Sequence, residues 1–303
     1  MIRIEDLHKS YKDHKVLIGL NIQVEKGEIY GFIGHNGVGK STTMNILAGL
    51  IGFQSGKCII NGKDIRDNGL LFKDIGYLPE DPKFYPYMNA WEYFDFIGRI
   101  GGDTGKEIKL KAGKLLEAVK LEKAAKRAIG GYSRGMKQRL GFAVAMYHDP
   151  ELYLLDEPSS ALDPEGRIDM VNIIEDLKEK GKTIFLSTHI LNDIEKVCDR
   201  VGIIHDGRIV VEDNLNKLLE KYVQPVYDIE FNRRPTGNCI NKLSALEYVD
   251  KVDIDDRRVS VYIKSIERDS QKLLREVVEL EAPVTSINLK RSSLEEIFMK
   301  VVK

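Results

Sequence analysis

Three stretches of unbroken apolar character punctuate the chain: IYGFI (29–33), LYLLD (152–156) and TIFLST (183–188). Runs of this length, rich in β-branched and aromatic residues and without polar alternation, predict strands buried on both faces. The first runs into a glycine-rich turn and then an apolar helical stretch, TTMNILAGL. Between the second and third lies DPEGRIDMVNIIEDLKEKG, where Asp163 suits an N-cap, Pro164 fits the first helical position and Gly181 closes the helix. Ile168, Val171, Ile174 and Leu177 recur every three residues and predict its core face. Strand, helix and strand at this spacing make a βαβ unit, so the larger part of the chain predicts an α/β fold with a mainly parallel sheet covered by helices.

The pattern changes near Tyr222 to Val226, around Pro225. Strand-like segments follow at 226–231, 249–256, 257–264 and 284–290, with helical stretches at 238–247 and 269–280. This β-α-β-β-α-β order is the ferredoxin-like arrangement. A last helix, SLEEIFMKVV, puts Leu294, Ile297, Phe298, Val301 and Val302 on one face. The expected division is therefore 1–222 and 223–303, the second part a small α+β domain. A length of 303 residues fits one large domain with a small companion.

Charge and composition exclude several function classes. Lys and Arg number 46 against 47 Asp and Glu, a net charge of −1, which argues against a polybasic nucleic-acid binder. The apolar runs fall far short of the ~20 residues a membrane span needs. The charged, alternating start, MIRIEDLHKSYKDHK, does not read as a secretory signal. Cys58, Cys198 and Cys239 are widely spaced and form no CxxC pair, which fits free thiols in a reducing compartment.

The chemistry begins at the glycine-rich turn. Gly34-His35-Asn36-Gly37-Val38-Gly39-Lys40-Ser41 matches G-x-x-x-x-G-K-[ST] between a strand and a helix. Glycines let the main chain approach a triphosphate closely, and backbone N–H groups at the helix N-terminus are preset donors for it. Lys40 is expected on the β- and γ-phosphates and the Ser41 hydroxyl on Mg²⁺. The second constellation is the Asp156-Glu157 pair ending an apolar strand. Asp156 is expected to face Mg²⁺, and Glu157 to polarise the attacking water. His189 ends a further strand, at the edge where parallel sheets bind ligands, within reach of the γ-phosphate or the water.

Over roughly residues 1–222 the chain resembles the ATP-binding subunit of an ABC transporter. The resemblance implies a P-loop NTPase core, an antiparallel β subdomain and a helical subdomain at about 83–150. It makes the P-loop Walker A, with Val16 and Thr42 among the nucleotide contacts, Asp156 the Walker B aspartate and Glu157 the catalytic glutamate. Tyr11 stands where the adenine-stacking aromatic stands. SSALD (159–163) matches the D-loop and His189 the switch histidine. The signature, usually LSGGQ, reads Tyr132-Ser133-Arg134-Gly135-Met136. Ser133 and Gly135 are retained and are implied to cap the γ-phosphate held by an opposite subunit. Ser133 also suits a helix N-cap. Glu80 stands where a glutamine is usual; its carboxylate can still reach Mg²⁺ but cannot donate an N–H. These departures are similar to those of the ABC-2 exporter-type branch.

One chain carries one P-loop and one signature, so the resemblance implies two ATP-binding subunits closing head to tail over ATP. It also implies a separate membrane permease, with this subunit on the cytoplasmic face of the membrane. Phe84, Tyr85, Tyr87, Trp91, Tyr93 and Phe94 crowd the segment where a permease helix would dock. They are too many for the core of one short helix, and about half are expected to form a landing patch. The alternative is a soluble ABC ATPase with a nucleic-acid or regulatory role. The single P-loop and balanced charge speak against the first, Glu157 and His189 against a silent regulatory subunit.

Overall fold

The computed structural model describes residues 1–67, 74–222, 225–280, 282–290 and 293–302; part of the expected seam, residues 223–224, lies outside these. Two compact units emerge, Met1–Leu215 together with Val301–Lys303, and Asn216–Lys300. The division precedes the expected boundary at 222, because the helix after Leu215 groups with the second unit.

The first unit begins with β1 (Ile2–Tyr11), β2 (His14–Val24), β3 (Ile29–Ile33), α1 (Lys40–Leu47), β4 (Ser55–Ile60), β5 (Lys63–Asp64) and β6 (Ile75–Leu78). Three helices follow, α2 (Ala90–Ile100), α3 (Gly105–Ala118) and α4 (Arg134–Met146). The chain then alternates through β7 (Leu152–Asp156), α5 (Pro164–Glu179), β8 (Thr183–Thr188), α6 (Leu191–Val197), β9 (Arg200–His205) and β10 (Arg208–Asn214).

The central sheet has the order β10-β9-β3-β8-β7-β6, parallel from β9 to β6 with β10 antiparallel at one edge. Every residue of β3, β7 and β8 is buried, which is why these strands read as continuous apolar runs. Their carboxyl ends stop level: Ile33 pairs with Thr188, Asp156 with Ser187, and Leu155 with Leu78. The turns leaving them therefore meet at one rim.

A second, antiparallel sheet runs β2-β1-β4-β5. In β1 the buried positions are Ile2, Ile4 and Leu7, a spacing that slips by one residue. Asp6 takes up the slip at φ 46°, and Gly56 lies against it, where a Cβ would come within 2.4 Å of the Asp6 carbonyl oxygen. Leu7, Leu20, Met44, Leu47 and Phe185 belong to one core that joins both sheets through α1.

Helices α2 to α4 have their own core around Phe94, Leu116, Leu140 and Tyr147. Asn89 with Glu92, and Thr104 with Glu107, form capping boxes on α2 and α3, each cap stabilising by ~1 kcal/mol. Helix α5 starts as expected, with Asp163 accepting from the Gly166 N–H and Pro164 at the first position, and Gly181 ends it at φ 72°. Its core face differs from expectation: Met170, Val171, Ile174 and Leu177 are buried, whereas Ile168 is 57% exposed. A strict three-residue spacing loses about 60° per step on a helix of 3.6 residues per turn, so Ile168 lies opposite Leu177.

After α7 (Leu215–Lys221), the second unit runs β11 (Val226–Phe231), α8 (Gly237–Ser244), β12 (Val249–Asp255), β13 (Arg258–Ile263), α9 (Ile266–Val278), β14 (Val284–Leu289) and α10 (Leu294–Val301). Its sheet is antiparallel with order β12-β13-β11-β14, the ferredoxin-like topology. Ile229, Phe231, Val259, Val261 and Leu273 fill its core. Of the face expected on α10, Leu294, Ile297 and Phe298 are buried, and Val301 and Val302 are half-buried. The three cysteines are free and buried. Among the described residues no helix is long and apolar enough to cross a membrane.

Candidate functional site

The site is built at the rim of the central sheet. Strand β3 delivers the chain into Gly34, where a Cβ would press to 2.7 Å from Ile204 and Val38 side-chain atoms. Gly39 takes φ 111° as N-cap of α1, a conformation that side chains rarely adopt, and no side chain caps that helix. The α1 N-terminus is thus left to an anion. A cavity of about 290 Å³ opens above, lined by Asn36, Gly37, Gly39, Lys40, Ser41 and Thr42, and by Glu80 and Glu157 from the neighbouring strand ends. His35 and Val38 belong to the same loop. Val16 of β2 is brought against its base, 3.3 Å from where a Gly39 Cβ would lie.

Lys40 is buried, and its ammonium donates to the carbonyls of Gly34 at 2.7 Å and His35 at 3.2 Å. It also lies 3.6 Å from Glu157 Oε1. Glu157 leaves β7 at φ 49°, held by its N–H donating to the Ser187 carbonyl at 2.9 Å. Its Oε2 accepts from Thr188 Oγ1 at 3.1 Å and from His189 Nδ1 at 2.9 Å. The Glu157 carboxylate therefore joins His189 through a hydrogen bond and Lys40 through an ion pair.

Asp156 is buried beside them and accepts from the Ser187 hydroxyl. Burial pushes its carboxyl above the ordinary value; hydrogen bonds from Ser187 and Ser41 pull the other way, and the nearby Glu157 and Glu80 carboxylates push it further up. A desolvated carboxylate beside two others and a serine hydroxyl is relieved by a cation. Among the described residues no cluster of three or more His, Cys, Asp or Glu forms a dedicated metal cage. That fits Mg²⁺, which takes one or two carboxylates and fills its shell with phosphate oxygens and water. Ser41, Asp156 and Glu80 are the side chains that would hold it.

Ser133 caps α4, accepting from the Met136 N–H at 3.2 Å. Neither Ser133 nor Gly135 lines the P-loop cavity. Met136 packs partly buried against the helical core, its sulfur 3.5 Å from an Arg127 guanidinium nitrogen. Tyr11 is 48% exposed at the β1–β2 turn, with the Lys9 ammonium 4.8 Å from its ring centre. Of the crowded aromatics, Phe94 is buried and Phe84, Trp91 and Tyr93 pack against the helical core. Tyr85 and Tyr87 remain exposed, joined by Phe96.

Three contributors carry little signal in the sequence. Ser187 and Thr188 read as ordinary strand residues; their signal is a pair of hydroxyls at the end of a run that is otherwise apolar from Ile184 to Leu186. Gln138 donates from Nε2 to the Glu157 carbonyl at 3.3 Å, and its only sequence signal is a polar side chain on the buried face of α4.

Comparison with known proteins agrees with this geometry. Residues 17–160 match the family model described as ABC transporter, and residues 214–302 match that of the ATP-binding protein DrrA1-3-like C-terminal domain. The ABC transporter ATP-binding protein YxlF of Bacillus subtilis, itself uncharacterised, is 37% identical over 302 residues, covering 100% of this chain and 99% of that one. The bacitracin transport ATP-binding protein BcrA of Bacillus licheniformis is also 37% identical, covering 100% of this chain and 97% of its own. An ATP-binding cassette solved as a dimer in a post-hydrolysis state with ADP and Pi matches with TM-score 0.66 and 27% identity, over 71% of this chain and 99% of that one. With a P-loop, paired acids and His189 on one rim and relatives that align end to end, this chain belongs to the ABC transporter ATP-binding proteins, the ATPase subunits of those transporters.

Proposed function

We propose that the chain powers an ABC-2-type exporter by closing head to tail with a second ATP-binding subunit over Mg²⁺ and ATP. The observation that carries this reading is the incompleteness of the cavity. It has a lysine, helix-terminal amides and Glu157, yet the signature residues Ser133 and Gly135 do not line it. The dimeric relative supports a second copy as their source. In this reading the α1 N-terminus and Lys40 hold the phosphates, and Tyr11 stacks on the base. Glu157, oriented by Thr188 and His189, draws a proton from the attacking water. Ser133 and Gly135 of the partner cap the γ-phosphate. Bound at Ser41, Asp156 and Glu80, Mg²⁺ would offset the charge on the phosphates. Loss of the γ-phosphate removes the bridge, and the halves part.

Mixing two inactive variants tests the arrangement. Lys40→Met lacks the P-loop cation, and Ser133→Arg lacks the signature hydroxyl; neither is expected to turn over alone. A heterodimer has one intact P-loop facing one intact signature. Equimolar mixing should therefore restore up to about a quarter of the wild-type sites. If the mixture stays as inactive as its components, the composite site is wrong.

Coupling to a membrane permease through the helical subdomain is the second part of the proposal, and it would place the chain on the cytoplasmic membrane face. It rests on Tyr85, Tyr87 and Phe96, which stand exposed with ring centres 5.8 Å (Tyr85–Tyr87) and 5.9 Å (Tyr85–Phe96) apart. Tyr87→Ala with Phe96→Ala should cut recovery of the permease in mild detergent by roughly tenfold, with the ATPase rate of the isolated subunit unchanged. Full recovery of the permease would remove this surface from its role. The cargo named for BcrA, bacitracin, supports an antibiotic or similar amphipathic compound as the exported class.

A further inference from the structure

We propose that Gln138 is a positioning residue for Glu157, through which the signature helix sets the catalytic carboxylate of its own chain. Three contacts between helix α4 and the segment that follows β7 bear on this. A Cβ on Gly135 would lie 3.1 Å from the Ala161 carbonyl oxygen, so the helix start rests on the D-loop. Arg139 Nη2 lies 3.9 Å from Asp163 Oδ1. Between them, Gln138 Nε2 donates to the Glu157 carbonyl at 3.3 Å. Of the three contacts, this one reaches the residue that activates water.

Two features argue that the bond serves geometry rather than stability. Glu157 sits at φ 49°, in the left-handed region that disfavours a side chain, so something must hold its peptide there. The Ser160 N–H donates to the same carbonyl at 3.2 Å, and Gln138 supplies the second donor. Gln138 is also only 1% exposed, and its Oε1 has no hydrogen-bond partner among the described residues. A buried amide that satisfies one end and leaves the other unpaired is a poor stabiliser, because the unpaired oxygen carries its full desolvation cost. A carbonyl can only accept, so the amide orientation is fixed by Glu157 itself.

The consequence deepens the proposed function and rests on its head-to-tail reading. There, Ser133 at the start of α4 engages the phosphate in the partner's site, while Glu157 serves the phosphate in its own. Gln138 joins the two through about one and a half helix turns, so the site a chain completes for its partner adjusts the carboxylate in its own.

Gln138→Met keeps length and volume and removes the donor. The expected result is a kcat lowered roughly tenfold, a KM for Mg·ATP within about twofold of wild type, and a melting temperature that does not fall. Added to Glu157→Gln, the same substitution should change the residual rate by less than about twofold, because its effect passes through Glu157. The crystal structure of Gln138→Met should find the Glu157 peptide out of the left-handed region or its carboxylate off Thr188. A wild-type kcat, a loss that persists undiminished in the Glu157→Gln background, an unmoved Glu157, or a chain that no longer folds would each overturn the assignment. None of these outcomes depends on the mixing experiment above, whose failure would remove the link between sites and leave the positioning role intact.

Discussion

Glu157→Gln is expected to hydrolyse ATP about 100- to 1,000-fold more slowly than the wild-type chain while binding it equally well. The amide is isosteric, so its oxygen can still accept from Thr188 Oγ1 and His189 Nδ1, which now lie 3.1 Å and 2.9 Å from Oε2. The peptide at φ 49° and its bond to the Ser187 carbonyl are untouched. What disappears is the capacity to take a proton from water. The consequence for assembly follows from the proposed cycle: with the γ-phosphate bridge no longer cut, the Mg·ATP-loaded variant accumulates as a dimer. Light scattering at increasing protein concentration reads that directly, beside a phosphate-release assay. A turnover within tenfold of wild type would deny Glu157 its role. A variant that stays monomeric with saturating Mg·ATP at every concentration would deny the sandwich.

What the sequence reveals of this site depends on which physical signal each residue carries. Strands β3, β7 and β8 are legible because both faces are buried, so no polar position interrupts them. The P-loop is legible because a phosphate needs glycines at fixed intervals. Strand β1 is harder: its alternation breaks where Asp6 bulges, and Ile2, Ile4 and Leu7 fit no single period. Ile168 misleads for the opposite reason, since a regular three-residue repeat looks helical yet rotates off the face it seems to define. Ser187, Thr188 and Gln138 are hidden because their meaning is pairwise. Ser187 matters only in register with Asp156, Thr188 only beside Glu157, and Gln138 only because α4 lies across the turn after β7. Local composition cannot carry a register between strands 31 residues apart along the chain. The same limit applies to the aromatics of 84–94, where the sequence shows an excess but not which rings face outward.

Lys40→Met is expected to abolish measurable ATP binding and, separately, to destabilise the nucleotide-free chain. The first effect follows from the site's charge: Lys40 is the cation at the base of a cavity that must take a triphosphate, and removing it leaves two carboxylates, Glu80 and Glu157, lining the same space. An affinity loss of roughly 100-fold or more is expected, read by titration with a fluorescent nucleotide. The second effect comes from the pair Lys40–Glu157, both 5% exposed at 3.6 Å, in which Glu157 Oε1 has no hydrogen-bond partner among the described residues. Deleting the ammonium leaves that oxygen buried and uncompensated, which costs about 2 kcal/mol, since Oε2 keeps Thr188 and His189. For a protein of this size the melting temperature should fall by about 3 °C. Glu157→Gln in the same chain removes the stranded charge, so the double variant should recover most of the lost stability and none of the ATP binding. That split separates the two tasks expected of one lysine: it neutralises the Glu157 carboxylate in the folded chain, and in the proposed function it holds the phosphates. A double variant no more stable than Lys40→Met alone would mean that the loss comes from the ammonium's bonds to the Gly34 and His35 carbonyls or from side-chain packing, and the stranded charge at Glu157 would be wrong as its cause.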